Sequence, residues 1–349
     1  MRSFHKYEIG CVIAAMIILP LVGFGVAFYL RGEPYRAAAR ALPAELAAAK
    51  AEHIPLTPAD MERAAPVQDK DNAALLYAQL YQPAGIGAAQ KDVALVIADR
   101  ATAAQRRSAS KQVAAEAAQF TIVEQAASLP HCDFHRKWAQ GPDLTFPEHG
   151  PMRHMAQMLA VKATLECDDG DPEAALRTIG VCARMTRHLG EEPIMMAALV
   201  RIAIEAVISR AFVHVIDKYA GRDDILHLAA STDREFGDLP DIRFSLSGEP
   251  VLYRIAMASV AHVDLGAGTT IERFRTRVSR EVLAQAYEQR AVAYWRRHYA
   301  VLRRTSVEPM ATYIAMKAFA DADSAVQSDR NGNPKPTYEG NAVVMVVYY

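Results

Sequence analysis

LAVKATLECDDGDPEAALRTIGVCARMTRHL, residues 159–189, reads as two helices folded back on one another about the turn Asp168-Asp169-Gly170-Asp171-Pro172. Gly170 can take the positive φ that ends a helix, Asp171 can accept hydrogen bonds from the free amides of the next one, and Pro172 suits its first position. The pattern therefore predicts a helix over 152–167, a partner over 173–189, and an antiparallel hairpin. Ala163, Ala175, Ile179 and Cys182 fall where a tetratricopeptide-like hairpin wants small or apolar residues, although the aromatics and final proline of that repeat are missing. One hairpin is not an array, because stacked repeats need about three copies to bury their faces.

Working outward, helical spacing dominates, and the chain is expected to be all-α, a multi-helix domain of antiparallel hairpins that is partly tetratricopeptide-like. Gly190 and Pro193 punctuate before a third, very apolar helix over 194–219. Shorter helices follow at 222–236 and 249–264, then a long amphipathic one over 269–304 and another over 307–325. Asp329 to Pro334 is turn chemistry, and Ala342 to Tyr349 (AVVMVVYY) predicts a short strand-like segment. Upstream, Pro130 to Gly150 reads as a loop laid over the helices. A long helix over 88–129 is expected to break at a polar patch near Arg106 to Lys111. Asp71 to Tyr81 predicts a helix, and Thr57-Pro58-Ala59-Asp60 a short one with a capping-box-like start. Residues 35–52 are alanine-rich and read as a stalk that Pro43 breaks.

That stalk follows Ile9 to Leu30, a run of 22 residues without a charge. At roughly 1.5 Å per residue it spans the ~30 Å hydrocarbon layer once. The run is longer than the apolar core of a secretory signal and continues through Phe28, Tyr29 and Leu30 into Arg31 without a small-x-small cleavage site, so it reads as an uncleaved anchor in the lipid bilayer. Counting Arg2 and Lys6 against Arg31, Arg36, Arg40 and Lys50 favours a cytoplasmic body. Long segments translocate largely regardless of charge, however, and the large domain is expected on the extracytoplasmic side. The organisation is then an N-terminal tail and transmembrane anchor at 1–32, a helical domain at 33–328, and a C-terminal tail at 329–349.

With 51% hydrophobic residues and a formal net charge of −1, the chain can bury a core and has no global attraction for polyanions, so nucleic acid is not expected as a partner. Cys132, Cys167 and Cys182 have no spacing that marks a disulfide framework or a zinc knuckle. No glycine-rich phosphate loop, G-x-S-x-G elbow or H-E-x-x-H helix occurs.

DNAALLY at 71–77, LPHCDFHRKWAQGP at 129–142 and the stretch 159–208 that contains the hairpin resemble segments of a group of bacterial, planctomycete-like proteins with one N-terminal span and a large helical domain. The similarity covers about 70–220 and consists largely of helix-packing residues. It implies an all-α exported domain and brings no activity, substrate or catalytic residue with it.

Three groups of residues are candidates for chemistry or binding. His131 and His135 stand at i, i+4, with Cys132 and Asp133 between them, and Glu148, His149 and His154 follow; on a helix, His131 and His135 would share a face, with Glu148 or His154 closing a tetrahedral metal site. Pro130 and the irregular segment argue against that helix. The alternative has Cys132 and Phe134 filling an apolar gap while the histidines bond to nearby backbone. Arg201 and Glu205, also i, i+4, are either an ion pair on a nearly buried helix or a base in an apolar cleft, and no nucleophile stands at a suitable distance. Nine arginines and three glutamates between Ile271 and Arg304 form a basic face beside an apolar stripe. Arg296, Arg297, Arg303 and Arg304, interleaved with Trp295 and Tyr299, are the positions for contact with headgroups or an acidic partner. Two functions follow: a membrane-anchored helical scaffold that docks a partner protein and needs no cofactor, or a membrane-anchored, metal-dependent hydrolase-like enzyme using the 131–154 cluster. Without a catalytic constellation, the scaffold is preferred.

Overall fold

The 168–172 turn folds as its residues require. Gly170 has φ +92°, the Asp171 carboxylate accepts the Ala174 amide at 2.8 Å, and Pro172 opens the following helix. The computed structural model describes residues 32–62, 66–81, 87–237, 242–260 and 278–304, and all of its regular elements are helices. They fall into two compact units, a central one over Met61–Glu249 and a terminal one made of the chain through Asp60 and from Pro250 onward.

In the central unit, α2 (Ala74–Tyr77), α3 (Gly87–Ile97), α4 (Ala103–Ala115) and α5 (Ala117–Ala127) precede the hairpin of α6 (His149–Asp168) and α7 (Pro172–Leu189). After it come α8 (Met195–Lys218), α9 (Asp223–Phe236) and the short α10 (Ile242–Ser245). Helix α6 packs against α3, α4, α5, α7 and α8, while α7 also carries α5 and α9. The hairpin is thus embedded in a bundle, unlike a solenoid, in which each unit meets only its sequence neighbours. Met152, Met155, Leu159, Leu176, Ile179, Met185, Leu189, Ile204 and Ile208 form the fully buried heart. Ala163, Ala175, Ile179 and Cys182 are buried there too, so the small residues of the hairpin let its helices approach closely.

The helix expected over 88–129 is broken, though not at Arg106 to Lys111. Asp99 takes φ +51°, and Thr102 starts α4 with a reciprocal capping box to Gln105. A second break falls at Glu116, between α4 and α5. A capping box decided the first break, and the polar patch that suggested another place lies inside α4.

In the terminal unit, helix α1 covers residues 32–51, and Pro43 lies within it rather than breaking it. Thr57 and Asp60 cap each other as expected, with Asp60 accepting the Leu56 and Thr57 amides at 2.9 and 2.8 Å. Helix α11 (Glu249–Val260) begins at the boundary, and α12 (Arg280–Arg304) completes the described part. Ala49, Ile54 and Leu56 are buried with Tyr253, Met257, Ala291, Val292, Trp295 and Tyr299. The alanine-rich segment is therefore half of a core and more than a stalk. Trp295 and Tyr299 face that core, and Arg296 is held by Glu45 and Glu52 at 2.6 and 2.5 Å. Burial of Trp295 and Tyr299 and the ion pairing of Arg296 take those three residues away from the headgroup contact expected of them; Arg297 remains exposed.

Among the described residues, no helix is long and apolar enough to cross a membrane. The anchor expected at 9–30, the helix at 307–325 and the strand-like segment at 342–349 lie outside the described residues.

Candidate functional site

Segment 131–135 is not helical, with His135 at φ +48°, because the buried Asn72 grips it. The Asn72 side chain accepts the Asp133 amide and donates to the Asp133 carbonyl, both at 2.9 Å, and also accepts the Ala74 amide that opens α2. Ala73 donates its amide to the His131 carbonyl at 2.8 Å. His131 and His135 consequently do not share a helical face. Both rings are exposed: His131 Nδ1 is 3.7 Å from Glu191 and His135 Nδ1 3.6 Å from Asp133. Cys132 is buried between them, and Phe134 packs against the core.

The other two members of the expected metal set lie elsewhere. His154 Nε2 meets Glu116 at 2.8 Å. Glu116 also holds Gln119, which in turn accepts the Tyr81 amide. Glu148 pairs with Arg136. Among the described residues, the one group of three or more histidine, cysteine or acidic side chains with ligand atoms within 4.8 Å of one another is Glu148, His149 and Glu192.

That cluster is built by the start of α6 and by the loop between α7 and α8. Arg136 lies between the two carboxylates, donating from Nε to Glu192 at 2.5 Å and pairing with Glu148 through the other end of its guanidinium. A further N–H reaches the Thr145 carbonyl at 3.2 Å, and the guanidinium carbon sits 4.6 Å above both Phe134 and Phe146. His149 Nε2 lies 2.7 Å from the second Glu192 oxygen, its ring stacked on Phe146. Burial alone would raise the Glu192 proton affinity, but the bonds from His149 and Arg136 hold it below the usual carboxylate range.

These contacts decide what the cluster can do. A divalent cation needs the carboxylate oxygens that Arg136 and His149 already engage, and it would stand beside a guanidinium that cannot lose its charge. The donor set suits an internal ion network better than a metal. Its logic is that of a fastener, tying the irregular 131–149 stretch to the start of α8.

The remaining polar clusters are closed as well. Arg201 pairs with Glu205 at 2.6 Å and reaches the Phe236 carbonyl, so Glu205 is an ion-pair partner in a buried groove of the bundle. Asp168 gathers Arg106, His214 at 2.9 Å and Lys218 at 3.4 Å; the hydrogen bond from His214 and the charge of Arg106 outweigh burial and keep its carboxyl acidic. Lys162, Glu166 and Thr178 form a triangle of bonds of 2.6 to 2.7 Å at the edge of a mixed-charge groove of about 690 Å³ along α7. None of these sets pairs a nucleophile with a free base.

The feature that is not closed is the outer side of α8. Ala197, Arg201, Ile204, Ile208, Ala211 and Val215 are buried, while Leu199, Ile202, Ala203, Ala206, Ser209, Arg210 and Val213 are exposed. Of these, Leu199, Ile202, Ala206, Ser209 and Val213 follow steps of three and four, the 3.5-residue period of a helix seam, and Arg210 lies beside them on the same face. Leu199, Ile202 and Val213 are 47, 54 and 52% exposed, three of the six exposed large apolar side chains among the described residues. A helix apolar on both sides was legible in the sequence, but which side would be covered was not. Arg136 and Glu192 carry no signal in the sequence reading, because only the tertiary fold brings them together.

Among the described residues, fold and site together define an all-helical body with buried ion networks and an exposed, largely apolar outer face on α8. Comparisons of the chain with known protein families, with curated proteins and with solved structures find no match.

Proposed function

We propose that this protein is a membrane-anchored helical scaffold. Residues 9–30 tether it as a single pass through the bilayer with the body on the extracytoplasmic side, and the body docks a protein partner. The tether rests on the uncharged run itself and on the resemblance to single-span helical proteins. Docking rests on the outer seam of α8, because contiguous exposed apolar side chains on a folded domain mark contact sites. The seam spacing suits an apolar helix of the partner, laid along Leu199, Ile202, Ala206 and Val213.

The enzymic alternative finds no support in the geometry, since His131, His135, Glu148 and His154 each pair with a different residue. The test is the triple change Leu199→Glu, Ile202→Glu and Val213→Glu, made at exposed positions that leave the core intact. Crosslinking in native membranes is expected to capture a discrete partner with the wild-type chain and to lose it with the variant at unchanged helicity. Equal capture by both, or none with the wild type, would overturn the proposal.

A further inference from the structure

Helix α8 lacks a capping side chain of its own: Ile194 stands at its N-cap and offers none. The cap comes instead from 54 positions further along the chain, where Glu249 accepts the Met195 amide at 3.0 Å. Gly248 donates to the Pro193 carbonyl at 2.7 Å in the same place. A Cβ on Gly248 would stand 2.5 Å from that carbonyl oxygen and 2.8 Å from the Trp138 ring, so only glycine allows the two strands of chain to meet. Glu249 is 5% exposed. One residue later the chain leaves the central unit.

What surrounds this carboxyl is unusual for a buried acid. The influences on its proton affinity are burial, which raises it to about 7, and the Met195 amide, which lowers it. Charged groups on the neighbouring elements are engaged with others: Glu192 with Arg136 and His149, Arg201 with Glu205, and Arg254 of α11 with Glu288. Among the described residues, a carboxylate here would have a helix N-terminus for company but no cation.

We infer that Gly248–Glu249 is a proton-dependent clamp on the first turn of α8. With Glu249 protonated the clamp is closed. Ionisation favours withdrawal of the carboxylate to water, which uncaps the helix whose outer face carries the seam described above. The inference stands apart from the docking proposal, because the clamp is a property of α8 whether or not anything binds its outer face.

Hydrogen exchange of the full chain tests it, read at the backbone amides of 195–198 and corrected for intrinsic rates. For a group at about 7 in the clamp and at the ordinary 4.5 when released, opening increases about tenfold between pH 6 and pH 8. Glu249→Gln is expected to remove that rise. The first turn of α7, capped by the exposed Asp171, is the internal control and is expected to show no such rise, so the wild-type protein alone still decides the matter if the variant does not fold. A flat wild-type response, an equal response in the α7 turn, or the same rise in Glu249→Gln would overturn the inference.

Discussion

His188 sits in the interior with both ring nitrogens engaged. The Leu129 carbonyl can only accept, so Nε2 carries the proton and donates at 3.0 Å, which leaves Nδ1 to accept from the Tyr77 hydroxyl at 2.9 Å. A second proton would force Tyr77 to turn away and would place a charge in the core. Burial, aided by Arg187 and Arg184, accordingly pushes the ring down to about 4 from its ordinary 6.5. Because the folded value lies below the unfolded one, the unfolded chain binds more protons between them. Stability is then fully present above about pH 6.5 and is lost as pH falls toward 4, by up to about 3 kcal/mol. His188→Gln keeps a donor and an acceptor without titrating. The difference between wild-type and variant unfolding free energies, measured by urea denaturation from pH 7 to pH 4, is expected to shrink by that amount; a constant difference would contradict this reading. Glu249 has the opposite sign: its stability contribution is present below about 4.5 and falls away as pH rises through about 7.

At the scale of elements, the irregular stretch 131–149 stays in place because Asn72 pins one end and Arg136 fastens the middle. Arg136→Met leaves Glu148 and Glu192 buried without their counter-charge. Removing one partner of such a network costs on the order of 3–5 kcal/mol, far beyond a surface pair. Denaturant unfolding is expected to show that loss, and Arg136→Met combined with Glu148→Gln and Glu192→Gln is expected to recover much of it; a loss under about 1 kcal/mol would show the network to be idle. How far the sequence foretold these elements follows from the range of the forces. Gly170, Asp171 and Pro172 act on residues within one turn, and the hairpin was readable from them. Arg201 and Glu205, one turn apart, were readable as a pair for the same reason. Arg136 and Glu192 are 56 positions apart, and nothing local in either residue names the other. Likewise, the i, i+4 spacing of His131 and His135 promised a shared face only on a helix, and Asn72, about sixty positions earlier, holds that segment out of a helix.

For the whole molecule, the division into units was hidden from a search for linkers. The chain passes between units at Asp60–Met61, where there is no run of glycine, serine or proline, and again within Ser245-Leu246-Ser247-Gly248-Glu249-Pro250, a stretch too short to read as a linker. Residues 32–60 complete their core with α11 and α12, a pairing across some two hundred positions, sealed by Arg296 on Glu45 and Glu52. Ion pairs hold Arg136, Glu148, Glu192 and Arg201 in the central unit and Arg296 in the terminal one. The outer seam of α8 is the proposed working surface. A photoreactive residue placed in turn at each position from 199 to 213 of the full-length chain in native membranes measures this most directly. The account predicts adducts with one partner at 199, 202, 206 and 213 and none at 204, 208 and 211; adducts without that period, or none along α8 at all, would contradict it.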